Sequence, residues 1–265
     1  MARASSKKPP RRSPAITKPS VPLSRPSGSA SQKFRGPGTL AIDIGGTGLK
    51  ASVLDEKGNL TVDRVRVETP VGSSPAVIVE TLRKLVAPLP PYERVSVGFP
   101  GVVRAGKVFT APNLGHAAWK GFELARALEK ALGKPVRLAN DADLQGLGVI
   151  KGKGVEMVIT LGTGFGTGLY ENGRLAPHLE IAHHPFRKGK TYDEQLGERT
   201  RKKIGMKKWN KRVAEAIEVL RRLVNFDHIY IGGGNAKRLD FKLPPYASVV
   251  SNQAGITGGI ALWRE

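Results

Sequence analysis

Carboxylates and glycine turns are prominent among the residues that could carry chemistry in this 265-residue chain, and because the sequence contains no cysteine, catalysis must use other groups. That absence excludes disulfides, thiolate nucleophiles and cysteine-ligated zinc. Asp141 comes after the predicted strand Val136 to Ala139 and Asn140, and it opens a short helical pattern. A carboxylate in this place can accept a proton during catalysis, or it can simply cap the helix. The residues around Asp141 leave both interpretations open.

A second chemical feature is the segment Asp43 to Lys50, in which a carboxylate at the end of an apolar run precedes a glycine turn. A turn without Cβ atoms lets backbone amides approach an anion, and a phosphate group fits that arrangement. An ordinary glycine hairpin is the alternative. A similar run, Gly162 to Gly168, follows the apolar stretch Val158 to Leu161, and this repetition favours two phosphate-binding turns.

Two further segments have competing interpretations. Glu180 to Pro185 contains two histidines without helical or strand alternation, which suits hydrogen bonding to a polyhydroxyl ligand or else an ordinary surface loop. Gly101 to Val108 comes within one residue of the P-loop pattern, but Val108 replaces the hydroxyl that would hold magnesium. We therefore expect a hairpin there, with its turn at Arg104 to Gly106.

The elements that must position these residues alternate between strand and helix patterns. The predicted strands are 39–44, 49–54, 60–67, 94–97, 136–139, 158–161 and 229–231, and the predicted helices are 75–86, 122–132, 192–202, 209–224, 254–263 and a short one from Asp141. The two glycine turns lie in similar strand, turn and strand units, so the chain is predicted to be internally duplicated. We expect an α/β fold with two lobes around a cleft, where ligands usually bind.

The charge of the chain is strongly positive, with 43 basic against 22 acidic residues. Nine of the basic residues and none of the acidic ones lie in residues 1–38, whose Pro, Ser, Arg and Lys composition predicts a disordered basic tail. No run of 18 apolar residues exists, so we expect a cytoplasmic protein without a membrane span. We expect an N-terminal lobe at 39–139 and a C-terminal lobe at 140–253, with the final helix 254–265 returning to the first lobe.

These motifs together resemble the ROK family of sugar kinases over about residues 39–265. Asp43 to Lys50 resembles the first phosphate motif of that family, Pro112 to Leu114 its sugar-contacting asparagine segment, and Asn140 to Ala142 its catalytic aspartate motif. The ending Ser251 to Gly258 is most similar to the polyphosphate glucokinase branch.

The remaining motifs of the family have counterparts as well. Glu180 and His183 match its Glu-x-Gly-His sugar motif, except that Ala182 replaces the glycine, and this methyl group is expected to tighten the loop or shift His183. Leu161 to Gly168 resembles the second phosphate segment, and Gly232 to Gly234 resembles the adenosine segment. The zinc-binding cysteines of many members are missing, so no zinc is expected.

The resemblance implies an actin-like (ribonuclease H-like) ATPase fold and a hexose kinase that phosphorylates the 6-hydroxyl of glucose. Asp141 would be the general base, and Asp43 would bind Mg²⁺ through water. The sugar-binding residues implied are Asn113, Asn140, Asp141, Glu180 and His183; the phosphate-binding residues are Asp43, Gly45, Gly46, Thr47, Lys50, Thr163 and Gly164; and the nucleotide-binding residues are Gly232, Gly233 and Gly234.

The phosphoryl donor is predicted to be polyphosphate, ATP or both. Residues 187–212 carry 11 basic and 3 acidic side chains, an excess that suits a channel for a polyanion. Apolar Leu262 and Trp263 at the chain end are candidates for the subunit contact of a homodimer.

A different class of function remains open at this point, namely a non-catalytic nucleic-acid-binding protein on a kinase-like scaffold. The basic tail supports it, as do Phe186, Tyr192 and Trp209 among the cationic residues. Basic surface also binds nucleic acid non-specifically without any dedicated site, and only such binding is expected of the kinase.

Overall fold

The computed structural model describes residues 38–112, 114–115, 117–251 and 258–263. The predicted tail, except Gly38, and the predicted sugar ligand Asn113 therefore lie outside the described residues. The strands are β1 (Thr39–Ile44), β2 (Leu49–Leu54), β3 (Val65–Val67), β4 (Arg94–Phe99), β5 (Val103–Arg104), β6 (Lys107–Val108), β7 (Val136–Asn140), β8 (Val155–Leu161), β9 (Phe165–Glu171), β10 (Arg174–Leu175), β11 (Pro185–Arg187), β12 (Lys190–Thr191), β13 (His228–Gly232) and β14 (Ala247–Val249). The α-helices are α1 (Pro75–Val86), α2 (Leu124–Leu132), α3 (Asp141–Leu147), α4 (Tyr192–Leu196), α5 (Glu198–Ile204) and α6 (Met206–Val224).

Two five-stranded sheets with the same topology form the framework. The first has the order β3-β2-β1-β4-β7 and the second the order β10-β9-β8-β13-β14. In each, an antiparallel hairpin is followed by strands parallel to its first member. The internal duplication predicted from the two glycine turns is therefore confirmed.

Each sheet has its own hydrophobic core. The strand β1 is almost entirely buried, and residues spaced as Ile78, Leu82 and Val86 place one face of α1 against the first sheet. Pro75 suits the first position of α1, since its missing N–H has no partner there anyway. In the second core, α6 contributes Trp209, Val213 and other buried apolar residues against β8 and β13.

Several predicted boundaries were wrong. The predicted strand 60–67 is ordered as a strand only at Val65–Val67, with an isolated bridge between Leu54 and Leu60. The predicted helix 192–202 is two helices separated at Gly197, whose extended backbone passes so close to Thr163 that a Cβ would lie 2.8 Å from its carbonyl oxygen. Glycine has a low helix propensity, and its close contact with the second glycine turn ends the first helix at this position.

The segment that resembles a P-loop is a hairpin, as predicted. Strands β5 and β6 pair directly, and Ala105 and Gly106 form the turn with positive φ angles of 49° and 75°. The segment therefore does not have the loop-to-helix geometry of a P-loop.

The end of the chain packs against the first sheet. Of the predicted helix 254–263, residues 252–257 lie outside the described part, and Gly258–Trp263 form a 3₁₀ helix. Ser96 in β4 donates a hydrogen bond to the carbonyl of Gly259 and accepts one from the Trp263 indole, each about 2.7 to 2.8 Å long. Trp263 thus has partners within its own chain, and the homodimer stays a prediction.

Within the described ranges, none of the helices combines the length and the apolar composition needed to cross a membrane.

Candidate active site

A cavity of about 210 Å³ lies where the two sheets approach each other. Its walls bring together three residues predicted for the site, Asp43, Lys50 and Asp141, with four residues to which no role was assigned: Gly98, Ala142, Gln145 and Thr160. Asp43 and Lys50 come from the β1–β2 hairpin, and Thr160 comes from β8 in the second sheet. The cavity is therefore walled by both halves of the duplicated fold.

Asp141 is the first residue of α3, directly after β7. The carboxamide oxygen of Asn140 caps this helix, accepting from the N–H of Ala142 at 2.8 Å and of Asp143 at 3.4 Å. The same side chain donates to the carbonyl of Gly101 at 3.2 Å. Asn140 is thus occupied by backbone groups, while Asp141 accepts from the Ala142 N–H at 2.8 Å and faces the cavity.

The surroundings of Asp141 favour its neutral form. Burial by the surrounding protein and the negative charge of Asp43 raise the pKa of Asp141 to about 7, and Asp143 adds to this effect. Asp141 is nevertheless exposed on its cavity side, so solvent in the open cleft screens part of the shift. A ligand that displaced this water would strengthen it.

Two cations, Lys50 and Arg66, lie on the strands beside the first glycine turn. Lys50 lies opposite Asp43 in the hairpin and forms an ion pair with it at 2.8 Å. Arg66 lies opposite Lys50 on β3, and a Cβ at Gly48 would lie 2.9 Å from its Nε atom. The N–H of Gly45 donates to the carbonyl of Gly48 at 3.0 Å, which closes the turn.

The second glycine turn is also closed by a backbone hydrogen bond, one residue shorter than in the first turn, since the N–H of Gly162 donates to the carbonyl of Gly164 at 3.0 Å. Thr163 at its tip is exposed. The turn is held by Asp193, which accepts from the N–H of Phe165 at 2.8 Å and leaves no room for a Cβ at Gly164. Both predicted phosphate turns are therefore tight, and each leaves an exposed threonine, Thr47 or Thr163, at its tip.

Gly166 and Gly168, the later glycines of the run Gly162 to Gly168, serve helix packing and not the turn. Gly166 and Gly168 lie within β9, where a Cβ at Gly166 would lie 3.0 Å from Ala142 and one at Gly168 would lie 3.2 Å from Asp143. They allow α3 to pack directly on the sheet. Buried Thr167 donates to the carbonyl of Leu179 at 2.8 Å, so its hydroxyl is engaged inside the protein.

The predicted sugar residues Glu180 and His183 lie on one 3₁₀ turn, Ile181–His183, with Glu180 at its N-cap. Residues three apart in a 3₁₀ helix lie on the same side, and the charge of His183 acts on Glu180. Ala182 is buried here and is not among the described residues with positive φ. The alanine therefore fits this turn without backbone strain.

The predicted nucleotide segment follows β13. Gly233 has a φ of 88°, and its backbone lies against Leu161 so closely that no Cβ fits. Asn235 donates to the carbonyl of Gly162 at 3.2 Å and to Glu198 at 2.8 Å. This segment is thereby tied to the second glycine turn, and Gly234 is exposed beside it.

Comparison with known proteins places this arrangement in a family. Residues 39–179 match the model of the ROK family. A polyphosphate glucokinase of Mycobacterium tuberculosis is 30% identical over 234 residues, which are 82% of this chain and 88% of the relative. This chain belongs to the ROK family.

Solved structures of the family share the fold. An inorganic polyphosphate/ATP-glucomannokinase from Arthrobacter superimposes with a TM-score of 0.76 at 31% identity, covering 86% of this chain and 100% of that one. A ROK family glucokinase from Streptomyces griseus in complex with glucose and AMPPNP gives a TM-score of 0.69 at 20% identity, covering 85% and 98%. The predicted actin-like fold is confirmed.

The sequence motifs do not include His178, which lies between the carboxylates of Asp143 and Glu180 in this ROK protein. Its Nδ1 lies 2.9 Å from Asp143 Oδ2, and its Nε2 lies 3.7 Å from Glu180 Oε2. Burial lowers the pKa of His178, but the hydrogen bond to Asp143 and the two carboxylate charges outweigh it and raise it to about 9. His178 in turn lowers the pKa of Glu180, whose carboxylate lies 3.7 Å from Nε2.

The proton of the His178–Asp143 pair belongs on the imidazole. Burial raises the pKa of Asp143 above its usual value, and the hydrogen bond and charge of His178 oppose this rise. Because His178 faces two carboxylates and Asp143 faces one imidazole, we assign the positive charge to His178 and the negative charge to Asp143. The only sequence signal for this pair was a histidine two residues before Glu180.

The basic segment 187–212 does not offer the aromatic surface that the nucleic-acid alternative required. Tyr192 is 2% exposed and Trp209 is 0% exposed, and both lie in the second core. Phe186 stacks on Tyr192 with ring centroids 4.5 Å apart. These rings are engaged inside the protein and are not arranged as a platform for bases, so the nucleic-acid alternative has no support.

Proposed function

We propose that this ROK protein is a hexose kinase that phosphorylates the 6-hydroxyl of glucose. The observation that carries the proposal is Asp141, a carboxylate with raised pKa in a cavity that it shares with Asp43 and Lys50. Phosphoryl transfer needs an oriented hydroxyl, a group to take its proton and positive charge near the phosphate. The names of the relatives, a polyphosphate glucokinase and a glucomannokinase, support the same activity.

The reaction would proceed by attack of the sugar oxygen on the terminal phosphorus of the donor. The bond from that oxygen to phosphorus forms while the bond from phosphorus to the leaving phosphate oxygen breaks, and Asp141 accepts the proton of the hydroxyl. A pKa near 7 suits a base that must be ionised before the reaction and protonated after it.

The other predicted residues would bind the two substrates. Glu180 and His183, together with Asn113, would hold ring hydroxyls, and the amides of the two glycine turns would hold phosphates. Lys50 and Arg66 would add positive charge next to the first turn.

Magnesium fits this site as an ion bound mainly by phosphate oxygens and water. Among the described residues, no group of three or more histidine or acidic side chains is placed to hold a metal, whereas Mg²⁺ commonly uses one or two carboxylates and substrate phosphates. Asp43 at the cavity wall would hold it through water. When bound, Mg²⁺ supplies charge neutralisation at the phosphates.

Polyphosphate is the donor that the basic segment supports best. The segment meets the second glycine turn where α5 begins, because the N–H of Glu198 donates to the carbonyls of Gly162 and Thr163 at 3.1 and 3.2 Å. Beyond it, α5 and α6 carry lysines without an ion pair in the described part of the chain, among them Lys203, Lys207 and Lys211. These unneutralised cations beyond the turn would attract a phosphate chain, with ATP as a second donor near Gly232 to Gly234.

Steady-state assays of the full-length protein with glucose and each donor test this proposal. We expect glucose 6-phosphate from polyphosphate, and replacement of Lys203, Lys207 and Lys211 by Gln should raise the KM for polyphosphate by roughly tenfold without changing that for ATP. Turnover with ATP and none with polyphosphate would refute the choice of donor.

A matched control removes the same charge elsewhere. Exchange of Lys57, Lys120 and Lys130 for Gln alters three exposed lysines outside the segment. An equal rise in KM for polyphosphate in this variant would mean that overall charge, and not the segment, attracts the donor.

A further inference from the structure

His178 connects the two parts of the site that have to act together. It lies in the loop after β10, two residues before Glu180, and its side chain is 8% exposed. Its partner Asp143 is 3% exposed and belongs to α3, the helix that Asp141 opens. A single buried imidazole therefore contacts both the helix with the proposed base and the loop with the proposed sugar ligands.

The helix side of this connection is rigid. Tyr170 in β9 donates its hydroxyl to the carbonyl of Asp143 at 2.7 Å, and Gly166 and Gly168 allow α3 to lie directly on β9. The packing of α3 therefore holds Asp143 in place. The 2.9 Å contact between Asp143 and His178 Nδ1 links this helix to the loop that carries Glu180.

On the side of the loop that carries Glu180, the hydrogen bonding of His178 is incomplete. Nε2 of His178 is buried without a hydrogen-bond partner among the described residues, and so is Oδ1 of Asp143. The nearest charged group to Nε2 is Glu180, at 3.7 Å, which is an electrostatic contact but too long for a hydrogen bond. Unpaired buried polar atoms are costly, so a small movement of Glu180 toward Nε2 would be favourable.

We propose that His178 is a positioning residue for sugar binding. It holds Glu180 in a set position relative to α3 and draws the Glu180 carboxylate toward Nε2 when a hexose is bound. This inference rests on the proposed function, since it assigns the sugar subsite to Glu180. It does not make His178 a catalytic residue, because its ring contacts Asp143 and Glu180 and not the cavity that contains Asp141.

The two carboxylates that face His178 both raise the pKa of its imidazole. Asp143 faces it from α3 and Glu180 from its own loop, and both favour the imidazolium form. The charge of His178 in turn lowers the pKa of Asp141, so it also favours the ionised base. His183 acts on Glu180 from the next turn of the loop. Loss of the charge on His178 would therefore raise the pKa of both Glu180 and Asp141 and reduce the ionised fraction of each.

The discriminating variant is His178→Asn. The Asn amide can reach Asp143 as Nδ1 does, so the fold is retained, but it has no counterpart of Nε2 and no charge. We expect calorimetric titration of the full-length protein with glucose to show about tenfold or more weaker binding at pH 7, the effect of losing one hydrogen bond to a charged group. His228→Gln, which can keep the contact to Ser248 in the second sheet, should bind glucose as the parent does.

The parent protein supplies a second readout that does not depend on any variant folding. With isotope-labelled histidine, the imidazole resonance of His178 should titrate near pH 9 and should shift when glucose is added. Unchanged glucose affinity in His178→Asn would overturn the inference, and so would a His178 resonance that is insensitive to glucose, or a parent that binds neither glucose nor mannose.

This experiment separates the inference from the proposed kinase activity. If glucose binding depends on His178 but the parent forms no glucose 6-phosphate with either donor, the proposed function is wrong and the positioning role stands. If the parent is an active kinase whose glucose affinity ignores His178, the positioning role is wrong and the proposed function stands.

Discussion

At the scale of single residues, the two interpretations of Asp141 are separated by its neighbour. Asn140 provides the cap of α3, with its oxygen on two backbone N–H groups, and this leaves the Asp141 carboxylate facing the cavity. The sequence could not distinguish these roles, because Asn and Asp are both good N-cap residues and they stand side by side. Which of them caps the helix depends on where β7 ends in three dimensions.

The raised pKa of Asp141 predicts an acid limb in the pH dependence of the reaction. A general base has to be ionised, so kcat/KM should fall as the pH drops through about 7, whereas an ordinary Asp would give a limb near 3.8. Asp43→Asn removes a negative charge that raises this pKa, so it should move the limb to lower pH. A midpoint that Asp43→Asn leaves in place would mean that the limb belongs to the donor phosphate.

The His178–Asp143 pair shows what residue-level patterns miss. Both residue types were visible in the sequence, but they are 35 positions apart and no motif spacing links them. Their contact depends on α3 lying against β9, which follows from small residues on both elements. Such a pair is found only once the packing is known.

At the scale of elements, the strands and helices with strong periodicity were predicted well. Helix α1 has the bounds that its apolar spacing indicated, Pro75 to Val86, and β1 and β2 also match. The predicted boundaries are wrong where contacts between elements determine the local structure, as at Gly197, which divides the predicted helix 192–202. The run Gly162 to Gly168 was read as one phosphate motif, but Gly166 and Gly168 serve helix packing within β9.

A pair of glycine substitutions tests the turn that joins β13 to the second glycine turn. Gly233 and Gly121 have similar positive φ angles of 88° and 81°, but only Gly233 has backbone atoms of Leu161 where a Cβ would go. Both Ala variants lose about 1 kcal/mol to the strained backbone, and Gly233→Ala should lose roughly 1 to 3 kcal/mol more.

Urea unfolding of the two variants measures the difference. Equal destabilisation in both would contradict the close packing of Gly233 on Leu161, since the backbone conformations alone then account for the effect.

At the scale of the whole molecule, the duplicated architecture was the most predictable feature. Two apolar runs with glycine turns at similar spacing indicated two equivalent sheets, and the sheets have the same strand order. The division at residue 139 stays a prediction, since β7 belongs to the first sheet while α3 packs on both. The basic tail and Asn113 lie outside the described residues, so their predicted roles also stay predictions.

The central claim, that the cavity between the two sheets transfers phosphoryl groups with Asp141 as base, has one direct test. Glucose 6-phosphate formation is measured for the parent, for Asp141→Asn and for the control Asp63→Asn, which alters an exposed acid outside the cavity. We predict that Asp141→Asn lowers kcat by about 10²- to 10⁴-fold while glucose still binds, and that Asp63→Asn acts like the parent. Full activity in Asp141→Asn would contradict the account.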